Sequence, residues 1–151
     1  MSKPDEVRDF LGSVWEAKFR FQRCVRKIEE LSQRCENITS NWDAGPRGGG
    51  DVHKDGALVE LAFQESEKVR LDAEWTAREK EVEAFLDGIR DRCYQAILKL
   101  RYVDLLHWSQ VMDAMEKSGL YYSERQIYNL HGQALDVARA LWREKGEQNG
   151  S

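Results

Sequence analysis

Two prolines in 151 residues, Pro4 and Pro46, leave almost the whole chain free to run as helix. Runs of Val, Ile and Thr, which favour strands, are scarce, and charged residues make up 33% of the sequence, so almost no strand is expected. No stretch of eighteen apolar residues exists, and the N-terminal MSKPDEVRDF is charged where a signal peptide needs an apolar core. Those absences point to the cytoplasm and to no membrane partner. Cys24, Cys35 and Cys93 are odd in number and lack Cys-x-x-Cys spacing, so they are expected to be reduced, packed thiols.

Chemistry is missing in the same way. His53, His107 and His131 stand far apart with no partner at metal-ligand spacing, and His107 and His131 read as buried, hydrogen-bonded side chains. Gly48, Gly49 and Gly50 are followed by Asp51-Val52-His53 rather than Gly-Lys-Ser/Thr, which fits a linker and not a phosphate-binding loop. The carboxylates lie along charged helix faces without a recognisable cleft. No catalytic residue, metal ligand or cofactor is assigned, and the chain is not expected to be an enzyme.

The formal net charge of −4 excludes a protein that coats nucleic acid by bulk charge alone. The charge is uneven, however. Residues 1–89 carry 14 basic and 19 acidic side chains, a net −5, whereas residues 90–151 carry 9 and 8, a net +1. A polyanion meets the C-terminal third more easily.

What is present is helical periodicity. From Asp5 to about residue 36 the apolar residues Val7, Leu11, Val14, Phe21, Val25, Ile28 and Cys35 recur at spacings of four and three, with Lys18 and Ser32 interrupting the seam. Asn37 to Gly56 combines turn formers, a proline and three consecutive glycines, and predicts a long loop tethered at most by Trp42. A second long helix is expected over residues 57–104, framed by Leu58, Leu61, Trp75, Val82, Leu86, Ile89, Cys93, Ala96 and Leu100. Its centre is charged, so it is expected to be solvent-exposed or packed only through Val69, Leu71 and Trp75. Residues 60–87 hold nine acidic and four basic side chains, and residues 18–27 hold five basic and no acidic ones, so an antiparallel hairpin brings opposite charges together.

Beyond Leu100 the pattern shortens. A helix is expected from about Trp108 to Lys117, a turn at Ser118-Gly119, and a further helix from Ser123, a good N-cap. Two helices joined by a glycine-containing turn over a third follow the helix-turn-helix plan. At 100° per residue, Ile127, Leu130, Ala134, Ala138 and Leu141 fall on one side of the last helix. Trp108, Val111 and Met115 are expected to complete that core. Tyr122, Arg125, Asn129 and Gln133 fall opposite, with Gln126 and Tyr128 on the flanks. Arg and Asn/Gln are the side chains suited to bidentate contacts with guanine and adenine in the major groove. Arg101 and Lys117 are placed to hold phosphates, and Gly132, on the outer side, leaves room for a close backbone approach.

Leu100-Arg101-Tyr102, Trp108, Val111, Ser123-x-x-x-Ile127 and Leu130-His131-Gly132-x-Ala134-Leu135 together resemble region four of bacterial sigma factors. The same residues are similar, more closely, to small phage and prophage proteins related to the ArpU and RinA late-gene activators, which Thr39-Ser40, the glycine-rich loop and Asp55 also resemble. The resemblance implies a DNA-binding transcription regulator in a bacterial host cell, with Ser123, Arg125, Gln126 and Asn129 at recognition-helix positions, double-stranded DNA as partner, and RNA polymerase as a further one.

The expected architecture is therefore all-α: a long antiparallel, coiled-coil-like helical hairpin over residues 1–89 with a Gly-rich loop at 37–56, then a helix-turn-helix DNA-binding module over residues 90–146. A second copy could complete the broken seam, making a homodimer a further expectation. The alternative is a helical protein-interaction module that binds or inhibits a protein partner without reading DNA, consistent with the acidic N-terminal two-thirds.

Overall fold

A computed structural model describes residues 5–40 and 50–149 as helices and short connections, with no strand among them. Among the described residues five helices follow one another: α1 (Glu6–Ser40), α2 (Gly50–Leu86), α3 (Arg92–Leu98, continued by a wider turn over Lys99–Val103), α4 (Trp108–Lys117) and α5 (Glu124–Asn149). The chain divides into two compact units, Ala17–Thr76 and Met1–Glu16 with Ala77–Ser151.

Helix occupies both ends of the stretch expected to be a loop, Asn37–Gly56. Helix α1 continues to Ser40 and α2 already begins at Gly50. Single Asn, Thr or Ser residues cost a helix only a few tenths of a kcal/mol each, so a long helix carries through them once nucleated. Residues 41–49, with Trp42, lie outside the described residues.

The helix expected over 57–104 is interrupted. α2 stops at Leu86, Asp87-Gly88-Ile89-Arg90 turn the chain, and α3 starts afresh behind Asp91. The Asp91 carboxylate accepts from Cys93 N at 2.9 Å and Tyr94 N at 3.1 Å, satisfying two of the N–H groups that a helix start leaves open. Gln95 donates its side-chain amide back to Leu86 O at 3.1 Å, closing the end of α2. A Cβ on Gly88 would stand 3.1 Å from a Leu141 methyl and 3.2 Å from Phe85 O, so the turn is built around the missing side chain.

In the unit Ala17–Thr76, α1 buries Ala17, Cys24 and Leu31 and half-buries Phe21, Ile28 and Cys35. The expected seam through Lys18, Val25 and Ser32 is thus displaced by one residue, onto positions that are apolar throughout. Counted from Val7 through Leu11, Val14 and Ala17, the spacing contains two consecutive threes, the inserted-three pattern that overwinds a heptad repeat. It falls where α1 passes from one unit to the other. In the part of α2 that belongs to this unit the buried positions are Gln64 and Leu71, whereas Leu58, in the expected frame, and Val69 are exposed.

Contacts between the two helices within this unit run in opposite order along the chain. Arg20 pairs with Glu74 at 3.4 Å, Phe21 meets Trp75 with ring centroids 5.5 Å apart, Cys24 Sγ donates to Gln64 O at 3.2 Å, and Lys27 lies 3.7 Å from Glu60. Burial raises the pKa of the Cys24 thiol and keeps it protonated.

The other unit holds the denser core. Leu11 and Val14 of α1, Val82 and Leu86 of α2, Ile97 and Leu98 of α3, Val111 and Met115 of α4, and Ile127 of α5 are all essentially fully buried. Phe10, Phe85 and Trp142 cluster with centroids 5.0–5.7 Å apart, Trp142 donates to Glu6 at 3.1 Å, and Arg139 donates to Asp5 at 2.7 Å. The hydrogen bond from Arg139 holds the Asp5 carboxyl below its usual range. After α3, Asp104 N bonds to Lys99 O at 2.9 Å, five residues back. That wider turn lets Leu98 and Val103, which an α-helix would set about 140° apart, both reach the core.

Candidate functional site

Helix α5 and the turn before it are fixed by local chemistry. α4 ends in a Schellman arrangement: Leu120 N bonds to Met115 O and Gly119 N to Glu116 O, each at 2.9 Å, with Gly119 at φ +88°, where a side chain would strain the backbone. The chain re-enters helix through a reciprocal capping box. Gln126 N donates to Ser123 Oγ at 3.2 Å, and Ser123 N donates to Gln126 Oε1 at 2.8 Å.

From this start, Ile127, Ala134, Leu135 and Ala138 turn inward and are buried, and Leu130 and Leu141 are half-buried. Of the residues expected to face outward, Arg125 and Asn129 are exposed, and their side chains make no hydrogen bond or ion pair to any described residue. They stand one helical turn apart on the side away from Ile127.

The other site candidates are engaged within the fold. Tyr122 is half-buried, its hydroxyl 3.7 Å from Cys93 Sγ. Gln133 accepts from the Tyr94 hydroxyl at 3.0 Å, and the Tyr128 hydroxyl donates to Glu124 at 3.3 Å while its ring stands edge-on to Trp108. Ser123 and Gln126 are occupied by the capping box. Arg101 lies 4.7 Å from the centre of the Trp108 ring and donates to Leu106 O at 2.8 Å, so part of its guanidinium closes the turn after α3. Lys117 is exposed in the last turn of α4. Gly132 is exposed, and a Cβ there would meet nothing within 4 Å.

Trp108, expected in the core, is half-buried as the centre of an aromatic stack. His131 lies edge-on to it at 4.8 Å and shares a 2.8 Å hydrogen bond with the Tyr102 hydroxyl. Burial, with the positive charges of Arg8, Arg101 and Arg139 added, pushes the His131 pKa down to about 4, so the ring is neutral at physiological pH and serves packing. His107, expected to be buried, is instead the exposed residue preceding α4, its backbone N–H donating to Gln110 at 2.9 Å.

Two exposed side chains beside this face were not singled out from the sequence. Tyr121, 75% exposed, stands just before α5, and Arg143, exposed, lies on the Arg125 side five turns further on. Among the described residues no group of three or more His, Cys, Asp or Glu side chains is arranged to hold a metal ion. No helix is long and apolar enough to cross a membrane among those residues.

An all-helical chain that ends in a well-capped helix with an unpaired Arg and Asn on its outer face is the class these features define. Residues 37–133 match the family model of proteins of unknown function designated DUF1492, and the chain belongs to that family. The matched span includes Arg125 and Asn129. No curated protein and no solved structure matches the chain.

Proposed function

We propose that α4, the Gly119 turn and α5 form a helix-turn-helix that reads double-stranded DNA as a transcription regulator, with α5 entering the major groove and Arg125 and Asn129 reading base edges. The observation that carries this reading is the pair itself: two side chains suited to bidentate base contacts, exposed, unpartnered and one turn apart on a helix rigidly held at its N-terminal end. Lys117 and Arg143 are the candidates for phosphate contacts, and Arg101 takes a supporting role through Trp108. The likeness of the C-terminal motifs to sigma region four and to the ArpU and RinA activators supports the same reading and adds RNA polymerase as a partner. In this reading the contacts between α1 and α2 make an antiparallel hairpin in front of the DNA-binding module, and the protein works in the bacterial cytoplasm. With a net charge of −4, affinity rests on specific contacts more than on bulk charge.

The test is selection of bound duplexes from a random library by the full chain, followed by binding of the enriched and a scrambled duplex across a salt series. The expected result is an enriched motif bound well above the scrambled sequence, with affinity falling as salt rises. Recovery of no motif, with no salt-dependent binding, overturns the proposal.

A further inference from the structure

Over residues 56–76 α2 buries Gln64 and Leu71 on one side, and its opposite side is apolar too. Val59 is 70% exposed, Val69 72%, Phe63 56% and Leu58 44%. Val59, Ala62, Ser66, Val69, Ala73 and Thr76 follow one another at spacings of three, four, three, four and three, all exposed and none charged. That is a heptad seam, with Val59, Ser66 and Ala73 at one core position and Ala62, Val69 and Thr76 at the other, on a helix whose second face is already committed. An isolated surface helix has no reason to keep six successive seam positions free of charge.

The flanks of the seam say what covers it. Leu58, Glu65 and Asp72 precede the first core position of each heptad, and Phe63, Arg70 and Ala77 follow the second. In a parallel, in-register pair of such helices, a residue before the first core position meets the one five further along the partner helix. Leu58 then meets Phe63 of the second copy, Glu65 meets Arg70, and Asp72 meets the uncharged Ala77: one apolar pair, one ion pair and no like-charge pair on each side. In an antiparallel pair Glu65 would instead face Asp72 of the second copy, a like-charge contact. Glu65 has no ion-pair partner among the described residues, and Arg70, which pairs with Glu67 and Glu74 on its own helix, is 61% exposed at its side chain and keeps donors to spare.

We propose that a second copy of this chain docks on the exposed face of α2 in parallel register, forming a two-fold dimer through Val59, Val69 and the Leu58–Phe63 and Glu65–Arg70 pairs between copies. This goes beyond the DNA-binding reading and does not depend on it.

Sedimentation of the full chain over a broad concentration series, with helix content checked for each variant, tests the proposal. The parent chain is expected to dimerise reversibly and Val69→Glu to remain monomeric. Glu65→Lys, which sets Lys against Arg70 in both symmetric pairs, is expected to weaken the dimer about tenfold. Adding Arg70→Glu to it restores the opposite charges and recovers most of the loss. A parent chain monomeric at every concentration, or a dimer indifferent to Val69→Glu, overturns the docking face. A dimer that Glu65→Lys strengthens or leaves unchanged, or that the double exchange does not restore, overturns the parallel register.

Discussion

The two compact units are built from the same materials and differ in how well they are filled. Among the described residues every large side chain that is essentially fully buried, from Leu11 and Val14 to Met115 and Ile127, belongs to the unit that combines the start of α1 with residues from 77 on. The unit Ala17–Thr76 buries Cys24, Leu31, Leu71 and a glutamine, Gln64, that needs hydrogen bonds from Cys24 and to Glu60 to sit there. The difference teaches where the rigidity lies. The outward face of α5 rests on the dense unit, whereas the helices of the other unit are joined by a thin seam and exposed ion pairs, each worth under about 1 kcal/mol. Local opening is expected to begin in the thin unit.

The largest effect that could break this comparison is in the dense core. Ile127→Ala should cost about 2–5 kcal/mol of unfolding free energy, whereas Leu71→Ala in the thin unit should cost about 2 kcal/mol or less. Denaturant unfolding of both variants measures the pair. Equal losses at the two sites would mean that the units are equally packed.

A slightly smaller effect is carried by pH. The folded His131 pKa of about 4 lies below the ordinary 6.5, so the folded state refuses a proton that the unfolded chain accepts. Stability from this group is complete above pH 6.5, falls as pH drops from 6.5 towards 4, and levels off below; the loss reaches at most about 3 kcal/mol. Denaturant midpoints over that window, compared with His131→Phe, isolate the contribution: the variant should lose less stability on acidification. An unaltered pH profile in the variant would show that His131 is not the titrating group.

Smaller again is the polar pair in the thin unit. Gln64→Leu removes a buried polar group together with its hydrogen bonds, and a near-neutral change of within about 1 kcal/mol is expected, because replacing a buried polar group by a similar apolar one gains burial as it loses bonds. Hydrogen exchange in residues 56–76 should remain faster than in residues 124–140 in both proteins. Slower exchange in the thin unit of the parent would reverse the comparison.

Most of the helices could be read from the sequence because their apolar period is strong, and α4 begins and ends where the pattern placed it. The break at residues 87–91 is signalled by Asp87-Gly88 and the capping residue Asp91, but the heptad frame hides it, because Leu86, Ile89 and Cys93 keep the spacing across it. In α1 the expected positions Lys18, Val25 and Ser32 give way to Ala17, Cys24 and Leu31, because Val25 beside Cys24 fits either frame and only the partner helix decides, whereas Phe21, Ile28 and Cys35 belong to both frames. At the site, Arg125 and Asn129 followed from periodicity alone. Gln126, expected at a recognition-helix position, also stands at capping-box spacing from Ser123, which is legible from sequence. Tyr122 and Gln133 could not be resolved in that way. Their partners, Cys93 and Tyr94, lie on α3, some 30 to 40 residues away.

The central claim is that the rigid unit presents Arg125 and Asn129 to DNA, and a comparison of three variants on an enriched and a scrambled duplex tests it most directly. Arg125→Ala and Asn129→Ala should each weaken the enriched duplex by about 1–3 kcal/mol, relax preference at one base position, and barely change the scrambled one. Lys117→Ala should weaken both duplexes alike and lower the salt slope by about one. If Arg125→Ala and Asn129→Ala bind both duplexes as the parent does, α5 does not read bases and the account fails at its centre.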